Sequence, residues 1–244
     1  MKLSAETRTS VKSNHALITP DGWVSSQLPG WTDSQVHVII SSSMGAKFTQ
    51  LLVFKPAGET ASIDSGADEY FIYVMEGEGS IRVDSQEHQL MPGSYLYIPP
   101  AASFQVSCQK TLKLTVFIKK YQELEGHATP VVIAKSAQEI EKETYLDDPL
   151  LQMQVLLPDD PRFDMAVNIF TYHPGGHLPF VETHVMEHGL IYLSGQGIYR
   201  LANDWYPVRT DDCIWMAPYC PQWFGALGKE PAVYLYYKDV NRQP

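Results

Sequence analysis

The chain has 244 residues, 44% hydrophobic and 19% charged, with 14 Tyr, 9 Phe and 5 Trp, a balance that excludes disorder and suits strands. Its net charge of -10 and its scattered basic residues exclude a phosphate-backbone footprint. No apolar run reaches the roughly 18 residues needed to span a bilayer, and the initial MKLSAETRTSVKSNHAL lacks the apolar core of a secretory signal, so a soluble cytoplasmic protein is expected.

The first forty-odd residues, containing ITPDGWVSSQLPGW, are expected to pack on the rest of the chain rather than form a separate domain. Beyond them, YFIYVMEGEGSIRV at 70–83 matches HGLIYLSGQGIYRL at 188–201, superposing Gly77 on Gly195. The same offset lays FKPAG (54–58) on YHPGG (172–176) and SYLYIPP (94–100) on DCIWMAP (212–218). Pro56 then meets Pro174, and Pro100 meets Pro218. Three blocks in one register mark two copies of one unit.

Each copy consists of short runs rich in β-branched and aromatic residues, broken by Gly, Pro and Asp. Strands without intervening helices predict an all-β sandwich or barrel. The first unit is expected over 1–121 with its N-terminal extension, a linker over 122–149, and the second unit over 150–244. The linker carries AKSAQEIEKETYL, polar and without alternation, which reads as a short helix, with Asp147 and Asp148 opening the turn into the second unit. Cys108, Cys213 and Cys220 are odd in number and none has the two-residue gap of a zinc knuckle or redox pair, so free thiols are expected.

The second copy holds a concentrated set of metal-capable residues. Gly176, Glu182, His184, His188 and Gly195 follow one another at a spacing similar to the first motif of cupins, with Glu and His exchanged relative to the usual order. PVRTDDCIWMAPYCPQW resembles the second cupin motif, and Gln222 stands where its last His is common. On a strand, even steps share a face, so Glu182 and His184 point inward while Thr183 and Val185 point away. Gln222, from a later strand, completes an N2O2 set with one negative charge, suited to a divalent ion with open positions. Mn2+ is the expected ion, one per chain, with Fe2+, another six-coordinate ion or Zn2+ as alternatives.

His184 and His188 are also four apart, as in a helical metalloprotease pair, but that helix would have to run through the strand-like GLIYLSGQGIYRL. His173 and His177 precede the motif and read as surface or loop residues. In the first copy the four ligands become Asp64, Gly66, Tyr70 and Phe104, of which only Asp64 binds metals well. The N-terminal barrel is therefore expected to be metal-free and to act as packing partner.

PFVETHVMEHGLIYLSGQGIYRLANDWYPV, WMAPYCPQWFGALG, YLYYKDVNR and the early HALITPDGWVSSQLPGW are together similar to the (S)-ureidoglycine aminohydrolase family, manganese bicupins of purine and allantoin degradation. The resemblance runs nearly end to end. It implies two tandem cupin barrels of the double-stranded β-helix, or jelly-roll, type. It also implies Mn2+ on Glu182, His184, His188 and Gln222, and substrate contacts from Tyr199, Tyr234, Lys238 and Glu182. Catalytic roles fall on Glu182, Lys238 and Tyr234, in hydrolysis of (S)-ureidoglycine to (S)-ureidoglycolate and ammonia. Lys238 would anchor the substrate carboxylate, and the two phenols would hydrogen-bond its polar groups.

Two alternatives stay open at this level. An Fe-dependent cupin oxygenase or isomerase would use the same donors, and a non-enzymatic bicupin binding or storage protein would need no open metal position. A homo-oligomer is expected by analogy alone.

Overall fold

The computed structural model describes residues 7–242. Among them the regular structure is antiparallel strand with short 3-10 turns, and no helix is long and apolar enough to cross a membrane. The chain divides into two compact units. One is the continuous stretch Val24–Glu139, and the other joins the N-terminal segment up to Trp23 to the chain from Ile140 onward.

In the continuous unit, Ile133–Ser136, Ser94–Ile98, Asp68–Glu76, Leu112–Lys120, Thr49–Lys55, Gln35–Ile40 and Ser25–Ser26 form a seven-stranded sheet in that order. Ala61–Asp64, Ser103–Cys108, Gly79–Val83 and Gln86–Leu90 form a four-stranded sheet. Residues from both sheets share one apolar core, with Val53, Ile72, Ile81 and Val106 fully buried. Strand alternation sorts the faces: along Ala61–Asp64 the first and third residues are buried and the second and fourth are exposed.

The second unit repeats this plan. Ser10–Val11, His15–Ile18, Cys213–Met216, His188–Ser194, Ala232–Asp239, Met165–Tyr172, Asp148–Val155 and Glu143–Tyr145 build an eight-stranded sheet, and Asp204–Arg209, Gln196–Leu201 and Gln222–Ala226 a three-stranded one. The all-β architecture of two tandem strand sandwiches is thus the one expected from the repeat. Gly77 and Gly195, which anchor that repeat, both turn with positive φ, +90° and +77°. A Cβ would sit 2.1 Å from the Thr111 carbonyl oxygen at the first and 2.3 Å from that of Pro231 at the second, so only glycine fits.

The expected linker helix is absent, which corrects the sequence reading. Ile133–Ser136 is a strand, Ala137–Glu139 a single 3-10 turn, and Glu143–Tyr145 another strand. The N-terminal segment runs in the same order: strand His15–Ile18, 3-10 turn Pro20–Gly22, strand Ser25–Ser26. The apparent linker is therefore the second copy of the segment that precedes the first barrel. His15–Ile18 pairs with Cys213–Met216, whereas Ile133–Ser136 pairs with Ser94–Tyr97. Ile133–Ser136 forms because it completes a backbone ladder, not because its own side chains alternate in burial.

Candidate metal and substrate site

The second unit gathers its polar residues by register. His188–Ser194 runs antiparallel to Ala232–Asp239 with His188 opposite Lys238, Leu190 opposite Tyr236 and Tyr192 opposite Tyr234. Directly opposed residues share a face, so His188, Lys238 and the tyrosines project together. On the next strand, Phe170 stands opposite Tyr234. The smaller sheet supplies Tyr199 opposite Phe224 and Leu201 opposite Gln222.

Glu182 and His184 do not lie on a regular strand, contrary to the simple alternation argument. They sit in the connection between Tyr172 and His188, which is tied down by isolated bridges at His177–Gly225 and Glu182–Gln222. The backbone N–H of Glu182 donates to the Gln222 carbonyl at 2.8 Å, and that of Gln222 returns the bond at 2.9 Å. Tyr219 N–H donates to the His184 carbonyl at 2.8 Å. A segment without a ladder of its own is thus pinned at the two positions that matter for the site.

Glu182, His184, His188 and Gln222 all line one cavity of about 130 Å³, and Tyr199, Tyr234 and Lys238 line it with them. His173 and His177 are not in its wall; His177 is exposed, its ring tilted 34° to that of Trp223 at 5.8 Å. Tyr145, Phe170, Tyr172 and Tyr236 also line it, and sequence reasoning does not single them out. Tyr236 and Tyr234 are an even step apart on one strand, a signal that extends to any inward residue; Tyr145 lies in the segment expected to be a linker.

Hydrogen bonds prepare the donors. His184 Nδ1 lies 3.1 Å from the Met186 carbonyl, so this nitrogen carries the proton and Nε2 keeps its lone pair. That lone pair accepts from Gln222 Nε2 at 2.9 Å, while Tyr199 OH donates to Gln222 Oε1 at 2.7 Å. His188 Nε2 is fully buried without any hydrogen-bond partner. The two imidazoles stack at 4.6 Å, and the His188 ring lies parallel to Tyr236 at 5.6 Å and 7°. Tyr172 OH and Tyr234 OH are 3.0 Å apart.

Burial dominates the electrostatics. It lowers the pKa of His184 and drives that of His188 well down, so both imidazoles are neutral and available as ligands near pH 7. It pushes the Glu182 carboxyl up against the opposing pull of the Tyr145 hydroxyl and the Lys238 charge. It lowers Lys238, with Glu182 and Asp159 acting the other way. Tyr199 and Tyr234 are raised well above the ordinary phenol value and act as neutral donors or acceptors.

Among the described residues no group of three or more His, Cys, Asp or Glu side chains lies at metal-binding geometry. The donor chemistry nevertheless fits a divalent cation. An orphaned buried imidazole nitrogen, a second imidazole with its proton fixed on the far nitrogen, a carboxylate and an amide face one small cavity. In the first unit the corresponding place is filled: Tyr70 and Phe104 meet edge to face at 5.2 Å inside the apolar core. There the register sets Ile63 opposite Phe104, while Asp64 is exposed and its carboxylate accepts from Gly66 N–H.

The Cupin domain family profile matches residues 50–118, within the continuous unit. An (S)-ureidoglycine aminohydrolase from Arabidopsis thaliana is 36% identical over 241 residues, covering 98% of this chain and 80% of that protein. One from Escherichia coli K12 is 34% identical over 236 residues, 94% of this chain and 89% of that protein. The crystal structure of protein Ylba from E. coli superposes with a TM-score of 0.87 at 31% identity, covering 98% of this chain and 96% of that one.

Proposed function

The chain belongs to the (S)-ureidoglycine aminohydrolase family, and from that premise we propose that it works at the cavity between Glu182 and Lys238 with one Mn2+ on Glu182, His184, His188 and Gln222. The protein is a hydrolase of carbon–nitrogen bonds that converts (S)-ureidoglycine to (S)-ureidoglycolate and ammonia. The observation that carries the site assignment is His188 Nε2, an imidazole nitrogen buried without a hydrogen-bond partner in a residue that lines the same cavity as Glu182, His184 and Gln222.

The substrate bears a carboxylate, an amine and a ureido group on one tetrahedral carbon. Water forms a C–O bond at that carbon, the C–N bond to the amine breaks, and the nitrogen leaves as ammonia with a proton drawn from the water. A divalent ion in this site supplies Lewis acidity in a cavity with little room for solvent. Lys238 holds the substrate carboxylate with its ammonium; burial lowers its pKa, with Glu182 and Asp159 acting the other way. Tyr199 and Tyr234 orient the ureido and amine groups as neutral hydrogen-bonding partners. Tyr234 is itself steadied by Tyr172. Glu182, the carboxylate among the residues lining the cavity, is assigned the proton taken from water. Phe170, Leu178 and Leu190 form apolar wall that limits water to the reacting molecule.

The test combines metal analysis of protein purified without added metal with ammonia release from freshly generated ureidoglycine. Glu182→Ala and His184→Ala lose metal and turnover together. Lys238→Ala keeps the metal, and its KM rises by at least about tenfold, the loss expected for one charged hydrogen-bonding partner. Full metal and full turnover in Glu182→Ala would sink the assignment, and oxygen consumption coupled to turnover would move the protein to the oxygenase class.

A further inference from the structure

We propose that Tyr145 is a positioning residue for Glu182, holding Oε1 of its carboxylate so that the other oxygen is turned to the cation and substrate. The inference rests on the metal site proposed above. Tyr145 is far from the ligands in sequence and reaches the cavity from the edge strand Glu143–Tyr145. Its hydroxyl lies 3.3 Å from Glu182 Oε1, a long hydrogen bond in which the phenol donates.

Three local features aim the ring. The pairing with Asp148–Val155 shifts register between Thr144 and Tyr145, so this residue leaves the alternation of its own strand. Such irregularities re-aim a single side chain at the rim of a sheet. The next two residues, Leu146 and Asp147, both have positive φ, 54° and 57°, as in the tight two-residue hairpin turns that fix register. The ring then sits edge-on against Phe170 at 4.9 Å and 75°. Phe170 in turn stacks on Tyr172 at 4.5 Å, so the support runs back into the core.

Glu182 needs such a partner because its own segment has no ladder on either side of the single bridge to Gln222. The bridge fixes its backbone, and the phenol fixes its side chain. A carboxylate with one oxygen engaged presents a single oxygen to a cation, which leaves coordination positions for substrate.

Tyr145→Phe removes the hydroxyl and keeps the ring on Phe170. Three measurements read the result: Mn2+ affinity of the apo protein by equilibrium dialysis, the Mn2+ electron paramagnetic resonance spectrum, and steady-state kinetics. Loss of an outer partner of a metal ligand weakens the ion by about 10- to 100-fold. The expected variant shows that loss, an altered Mn2+ spectrum and a reduced kcat with KM changed by less than about threefold, while the apo melting temperature stays at the wild-type value. Wild-type affinity, spectrum and kcat overturn the proposal, and so does a lowered apo melting temperature with unchanged Mn2+ affinity. Glu182→Gln, measured alongside, separates the two readings. If it loses Mn2+ while Tyr145→Phe does not, only the role of Tyr145 falls; if wild-type protein itself takes up no Mn2+, the metal site and the role of Tyr145 fall together.

Discussion

His188 shows how one buried atom shapes both chemistry and stability. Burial drives its pKa well below the usual 6.5, first through desolvation and then through His184 and Lys238. The folded protein then binds fewer protons than the unfolded chain below that value, so stability falls as pH drops through about 6.5 toward the native pKa. Urea titrations of apo protein between pH 7.5 and 5 should show this slope, and His188→Asn should flatten it. Lys238 carries a cost of the same origin. Its lowered pKa means the folded state disfavours the ammonium relative to water, and that penalty is present at pH 7, below both values. Lys238→Met should therefore raise the apo melting temperature while it raises KM. A melting temperature below wild type would show that the attraction of Glu182 for the ammonium outweighs desolvation.

The strands explain what is legible in the sequence and what is not. Glu182, His184, His188 and Gln222 are legible because four metal-capable side chains at motif spacing stand out in one copy of the repeat and not in the other, and all four line one cavity. Gly77 and Gly195 are legible as repeat anchors, and the structure gives the reason in the carbonyls of Thr111 and Pro231. Gly195→Ala should cost about 3 kcal/mol from strained φ and backbone collision, read as a lower denaturation midpoint. Tyr236 is not legible because an aromatic on a strand reads as core unless its neighbours are known, and Tyr145 is not because its segment reads as a linker helix. Ile133–Ser136 reads as helix for a related reason: its stability lies in hydrogen bonds to Ser94–Tyr97, which leave no periodicity in its own residues. The isolated bridge at Glu182 likewise leaves no trace in composition.

At the scale of the molecule, the exchange of edge strands decides which pieces can stand alone. Val24–Glu139 contains every strand of its own sheets, whereas the second unit needs His15–Ile18 beside Cys213–Met216. Leu17 and Ile18 are buried there, and Leu17 belongs to the core around the site. Deleting the chain up to Trp23 should remove roughly 1.5–3 kcal/mol for each of these two side chains. It should also leave a bare sheet edge prone to association. Light scattering and melting of the truncated protein measure both effects; a monodisperse protein with wild-type melting temperature would show the strand to be dispensable.

The same exchange sets an order of events during synthesis. The strand His15–Ile18 must wait for a partner about 200 residues later, which at about 5–20 residues per second is on the order of 10–40 s. The middle unit can close while the outer one is still missing its last strands. The HALI segment therefore stays without its partner strand until Cys213–Met216 has been made, and that interval is where a chaperone would engage it.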